Sequence, residues 1–118
     1  MVNPLEVERL GAGGNEVLCL RGPLTVENLR PFQNAIRREE SVQTVVFDLT
    51  NVPYMDSSGL GSLVSAYVSR QKSGRRVALS GVNERVLRLF EITRTESLFL
   101  IFPTADEALA ALMGAAEA

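Results

Sequence analysis

The sequence predicts an α/β fold: a mixed, mostly parallel sheet of about five strands with about four helices. Three observations lead there. Strand-like and helix-like segments alternate along the chain in the order β-β-α-β-α-β-α-β-α. The run Thr44-Val45-Val46-Phe47-Asp48-Leu49 is nearly all apolar, as a central strand covered on both faces would be. Soon after it, Leu60, Leu63, Val64, Tyr67 and Val68 recur at i, i+3, i+4, i+7 and i+8, the stripe of an amphipathic helix. Successive β-to-α units joined by short loops imply right-handed parallel crossovers. The first strand is expected to be the antiparallel exception.

Leu5-Glu6-Val7-Glu8 alternates apolar with acidic, like a half-exposed strand. Gly11-Ala12-Gly13-Gly14-Asn15 reads as a flexible turn into a second strand over 16–21, which Gly22-Pro23 ends. Thr25 is a candidate N-cap for a helix with Leu29, Phe32 and Ile36 on one face. Pro31 sits badly inside a helix, so either the first turn is irregular or the regular helix starts near Pro31. After the central strand, the long helix is expected from Leu60, with Ser62, Ser65 and Ser69 on its polar face and Gly74 at C′. The segment 76–80 is a short strand, and Asn83 can cap a helix holding Val86, Leu87, Leu89 and Phe90. The last strand is expected over 98–102. Thr104 and Glu107 form a capping box, opening a helix that buries Ala108, Leu109 and Leu112 and frays after Gly114.

The 118 residues suit one domain spanning 1–118, and 46% hydrophobic with 22% charged residues can bury a core. With a net charge of −2 and a pI of about 5.2 there is no basic field for a phosphate backbone, so nucleic acid is excluded as a partner. The pairs Arg37-Arg38 and Arg75-Arg76 read as solvated helix ends. Cys19 lies in an apolar run and reads as a buried structural thiol, and it cannot form a disulfide within the chain. No apolar stretch reaches the roughly 18 residues of a membrane span. The start, Met1-Val2-Asn3-Pro4-Leu5-Glu6, has no signal-peptide pattern. A cytoplasmic protein is expected.

The segment that attracts attention is Tyr54-Met55-Asp56-Ser57-Ser58-Gly59-Leu60-Gly61, at a strand-to-helix turn. A helix N-terminus presents unpaired N–H groups and partial positive charge, so a phosphate carried there would be stabilised. Asp, Ser and Gly at such a place are also ordinary caps. One cap suffices, however, and this turn has three candidates and two glycines. In a first turn Gly59 and Gly61 cost about 1 kcal/mol each relative to Ala. They would let a partner's backbone or a nucleotide phosphate approach the serine. Parallel topology brings the loops Gly22-Pro23-Leu24-Thr25, 51–58 and Gly81-Val82-Asn83 to one edge of the sheet, where ligands tend to bind, with Ser58 near the middle.

Catalysis finds little support. The chain has no histidine, which removes Ser-His and Cys-His pairs. Lys72 follows Ser58 by 14 positions on the same predicted helix, about 21 Å away at 1.5 Å per residue. No metal-ligand spacing, dinucleotide fingerprint or phosphate loop is present, so no enzyme, metal or cofactor is expected.

The stretch Val46-Phe47-Asp48-Leu49-Thr50-Asn51-Val52, followed by Met55-Asp56-Ser57-Ser58-Gly59-Leu60-Gly61, resembles the anti-sigma factor antagonist family of STAS-fold proteins. Gly22-Pro23-Leu24-Thr25 and Val86-Leu87-Arg88-Leu89-Phe90 are similar to that family's loops and third helix. The resemblance implies a STAS-like sandwich and no intrinsic enzyme activity. It also implies an anti-sigma factor that phosphorylates, as an ATP-dependent serine kinase, the serine directly before the glycine. That serine is Ser58. A PP2C-type phosphatase is the implied partner of the phosphorylated form. The residues then expected at the partner surface are Gly22, Pro23, Thr25, Tyr54, Met55, Asp56, Ser57, Ser58, Gly59, Leu60, Gly61, Gly81, Val82 and Asn83. Asp56 reads as a cap or as the residue orienting Ser58, and Ser57 as a second cap or the alternative acceptor. Tyr54 and Met55 could face the partner or the core. A different class of function, a non-switching STAS scaffold in a signalling complex or a transporter assembly, is the competing expectation.

Overall fold

The computed structural model describes residues 4–38 and 42–117. Among these, five strands and four α-helices form, in an order matching the sequence pattern. They are β1 (Glu6–Ala12), β2 (Asn15–Arg21), α1 (Arg30–Arg38), β3 (Thr44–Asn51), α2 (Ser57–Lys72), β4 (Arg76–Ser80), α3 (Glu84–Ile92), β5 (Ile101–Phe102) and α4 (Ala105–Glu117). The strands lie in the order β1-β2-β3-β4-β5. β1 runs antiparallel to β2, and every other pairing is parallel.

Alternation along β3 explains the layers. Val45, Phe47 and Leu49 face the larger core with Phe32 and Ala35 of α1, Leu63, Ala66 and Tyr67 of α2, and Val86 and Phe90 of α3. Val46 points the other way, into a smaller core with Val17, Ala78, and Ala108 and Leu112 of α4. Three helices therefore cover one face of the sheet and one covers the other, and β3 is apolar on both sides because both sides are covered.

Several boundaries differ from the sequence expectation. β1 extends to Ala12, leaving only Gly13-Gly14 as the turn, because the hairpin register runs unbroken from Glu6↔Arg21 to Ala12↔Asn15. Thr25 is not the cap of α1. The Asn28 side chain accepts from the Thr25 backbone N–H at 2.7 Å and from its hydroxyl at 3.0 Å, which closes a separate turn. Regular helix starts at Arg30, where the missing N–H of Pro31 falls in the first turn and breaks no bond. α2 starts at Ser57, three residues before Leu60, because Asp56 caps it. Arg76 is no helix end: it opens β4, and its guanidinium donates to the Thr44 hydroxyl at 3.0 Å. The end of α2 is as expected: Ser73 is its C-cap, and Gly74, at φ +75°, takes the C′ position and turns the chain back.

The last strand is shorter than expected. Glu96–Leu98 form a 3-10 turn, and regular pairing covers only Ile101–Phe102. Phe99 decides this by turning into the larger core, with its ring centroid 5.0 Å from Tyr67 and 4.8 Å from Phe90. α4 runs to Glu117. Cys19 is half-buried rather than buried. Burial, followed by the nearby charges of Asp48 and Glu8, pushes its thiol pKa up, which fits an unreactive side chain. No helix among the described residues is long and apolar enough to cross a membrane. Residues 1–3, the start of the segment read for a signal pattern, lie outside the described residues.

Candidate functional site

The loop between β3 and α2 is stitched to the loop after β2 by backbone pairing. The Gly22 N–H donates to the Asn51 carbonyl at 3.0 Å, and the Leu24 N–H to the Tyr54 carbonyl at 3.1 Å. The Asp56 N–H donates to the Leu24 carbonyl at 3.2 Å, completing a parallel bridge between Leu24 and Met55. The loop after β4 joins from the other side: the Asn83 side-chain amide donates to the Val52 carbonyl at 3.0 Å, while its oxygen accepts from the Val86 N–H at 2.8 Å and caps α3. The three loops expected at one sheet edge are thus connected.

Asp56 does more than cap. One carboxylate oxygen accepts from the Gly59 N–H at 2.8 Å, holding the first turn of α2. The other accepts from the Val26 N–H at 3.0 Å, thirty residues earlier, tying the β2–α1 loop to the same turn. Partial burial pushes this carboxyl up, but the Gly59 and Val26 N–H groups outweigh it and hold its pKa below the ordinary value.

Gly59 has a structural reason inside the chain. A Cβ there would lie 2.0 Å from the Leu24 carbonyl oxygen. The bare face of Gly59 is therefore occupied by the chain's own backbone, which corrects the expectation that it admits a partner or a nucleotide phosphate. Gly61 is exposed, with open space where a Cβ would stand.

The remaining expected surface residues divide by burial. Pro23, Met55, Gly59 and Leu60 are buried, so their side chains support the surface from beneath. Ser57, Tyr54 and Gly61 are exposed, and Gly22, Thr25, Asp56, Ser58, Gly81, Val82 and Asn83 are half-buried. Gly81 takes φ +68° and abuts Thr50, where a Cβ would lie 2.0 Å from the hydroxyl oxygen. Ser58 opens toward α1. There it lines a groove of about 690 Å³ with Leu29, Gln33 and Ile36 of α1 and with Ser62, Ser65 and Ser69 further along α2. The polar serine face read from the sequence is one wall of this groove.

Two features were missed by sequence reasoning. Asn28 is 8% exposed and donates to the Pro23 carbonyl while accepting from Thr25, which shapes the β2–α1 loop. An Asn three residues after a Thr is a turn signal that could have flagged it. Arg85 of α3 lies over the Tyr54 ring, 4.9 Å from its centroid. Nothing local predicts that contact, because it joins α3 to the β3–α2 loop, thirty-one residues apart in the chain.

The STAS domain family model matches residues 7–108. The anti-sigma-B factor antagonist of Staphylococcus aureus (strain NCTC 8325 / PS 47) is 36% identical over 85 residues, covering 72% of this chain and 74% of that protein. The anti-sigma-B factor antagonist of Staphylococcus epidermidis is 39% identical over 61 residues, or 52% of this chain, so the chain spans about half, 56%, of that relative's length. Among solved structures, an anti-sigma factor antagonist from Mycobacterium paratuberculosis superposes with a TM-score of 0.79 at 23% identity, covering 92% of this chain and 94% of that one, a likeness of fold. With the β-β-α-β-α-β-α-β-α order and the Asp56-Ser57-Ser58-Gly59 turn both in place, this chain belongs to the STAS domain family, among the anti-sigma factor antagonists.

Proposed function

We propose that the unphosphorylated chain binds a serine-kinase anti-sigma factor, so releasing the sigma factor, and is switched off by phosphorylation at Ser58. The observation that carries this reading is the placement of Ser58. Its side chain is half-exposed in the first turn of a helix of 16 residues, at a groove, directly after a loop tied to its neighbours by backbone hydrogen bonds. Ser57, one residue earlier and exposed, is the alternative acceptor.

The chemistry favours Ser58 as a substrate rather than a nucleophile. The nearest carboxylate in sequence, Asp56, spends both oxygens on backbone N–H groups and has its pKa lowered, which makes it a weak base. A hydroxyl without a base is phosphorylated by a partner's machinery, not by its own chain. The chain acts as a cytoplasmic regulator without activity of its own, and a PP2C-type phosphatase restores the serine.

The switch works at the interface rather than on the fold. A phosphoserine brings about −1.5 to −2 charge. At a helix N-terminus the dipole favours that charge by only about 0.3–2 kcal/mol. A charge desolvated without a partner at an interface costs about 2–5 kcal/mol, or roughly 30-fold to several-thousand-fold in affinity. The interface term wins.

The test is incubation of the chain with ATP and each serine-kinase anti-sigma factor of its own genome, with the phosphate mapped by peptide mass spectrometry. One phosphate at Ser58, none in Ser58→Ala, and loss of binding on phosphorylation are expected. A stable complex without phosphate would instead favour the scaffold reading.

A further inference from the structure

α3 carries a stripe that opens outward, exposed at Arg85, Arg88 and Ile92 and half-buried at Leu89, which also packs against the edge of the larger core. Arg85, Arg88, Leu89 and Ile92 fall at i, i+3, i+4 and i+7, one face of the helix. Val86 and Phe90, the buried residues of α3, lie on another face. Ile92 is 73% exposed, more than any other large apolar side chain found exposed among the described residues. Tyr54 stands beside this stripe at 36% exposure, and Met55 forms the floor. Together these six side chains line a shallow groove of about 250 Å³. It shares no residue with the groove that Ser58 lines.

The charge of this groove runs against the rest of the molecule. The chain has a net charge of −2, yet the groove has two arginines and no acid among its lining residues. Glu84 and Glu91 of α3 fall to one side of the stripe. Arg85 is held in place by the Tyr54 ring, 4.9 Å from its centroid. Stacking uses the flat face of the guanidinium and leaves its N–H edge for a carboxylate. Exposed aliphatic and aromatic groups flanked by arginines are the composition of a protein-binding centre.

We propose that this groove docks an acidic amphipathic segment of the chain's protein partner. One aliphatic or aromatic side chain of that segment seats between Tyr54, Leu89 and Ile92, and its carboxylates pair with Arg85 and Arg88. The inference rests on the reading above only in naming the anti-sigma factor as the owner of that segment. The groove continues the same surface, since Tyr54 and Ser58 belong to one connected loop and helix start.

Two measurements on the full chain test it. The first is an amide NMR titration with a helical Glu/Leu amphipathic peptide and its Lys/Leu counterpart. Shifts at Tyr54 and along α3 with the acidic peptide alone are expected, weakened about ten-fold or more in Arg85→Glu/Arg88→Glu. Equal response to both peptides, shifts confined to other surfaces, or an unaffected variant would overturn the proposal. The second measures affinity for the anti-sigma factor that binds the unmodified chain. Ile92→Ser and Arg85→Glu/Arg88→Glu should each weaken it about ten-fold or more, with amide spectra showing the fold intact. Wild-type affinity in both variants removes the α3 groove while leaving the Ser58 switch standing. If no anti-sigma factor binds the wild-type chain, the functional reading fails, and the peptide titration still decides the groove.

Discussion

Gly59 and Gly61 are two residues apart and look alike in the sequence, but their surroundings separate them. Gly59→Ala would drive a methyl group into the Leu24 carbonyl, 2.0 Å away. Overpacking of that kind costs about 1–3 kcal/mol, and the bridge between Leu24 and Met55 should loosen. Gly61→Ala meets nothing within 4 Å and should leave stability unchanged or raise it by up to about 1 kcal/mol. Urea unfolding of the two variants gives the comparison. Asp56 makes a second prediction. Asp56→Ala removes both the cap and the Val26 tether, which should cost about 0.5–2 kcal/mol at neutral pH. The folded carboxyl titrates below its unfolded value of about 3.9. Its contribution is therefore complete above that value and is lost as pH falls through the folded one. The gap between wild type and Asp56→Ala should close with acidification in a pH series of unfolding curves.

At the scale of elements, β5 depends on a side chain of α2. The Tyr67 hydroxyl accepts from the Leu100 N–H at 2.8 Å and donates to the Val77 carbonyl at 3.3 Å, while burial pushes its pKa up. Tyr67→Phe keeps the ring against Phe99 but leaves that N–H without its acceptor, at a cost of about 1–3 kcal/mol. Hydrogen exchange at the Leu100 amide should quicken more than exchange in β3. Arg70 holds the far end of α2. It is 7% exposed and donates to the Val42 carbonyl at 2.6 Å and the Arg76 carbonyl at 3.1 Å. Arg70 stands in line with Leu63 and Tyr67, at i+7 and i+3 from them, but a charged side chain near a helix end gives no sign of burial. Both roles were illegible for the same reason: the backbone groups they bond, at Val42, Arg76, Val77 and Leu100, are brought close only by folding.

At the scale of the whole molecule, the fold should be indifferent to the proposed switch. The phosphorylated and unphosphorylated chains should differ by no more than about 2 kcal/mol in denaturant unfolding, because the phosphate sits at the end of α2 and not in either core. A large loss of stability would mean that the switch works by unfolding. The two cores stand on opposite faces of one sheet, so an event at the loop edge leaves both sealed. Any signal would pass to a partner through the three connected loops and the adjoining face of α3.

The order of elements, the antiparallel first strand, the double burial of β3 and the Asp-Ser-Ser-Gly helix start were all legible in the sequence. Each rests on local periodicity or on capping chemistry between residues a few positions apart. The limits of β5, the buried Arg70 and the stacking of Arg85 on Tyr54 were settled by tertiary structure. The use of Gly59 belongs with them: a glycine's need shows only when something approaches it, and here that is the Leu24 backbone, thirty-five residues earlier in the chain. Local pattern specifies which face of an element is apolar, and folding decides what meets it.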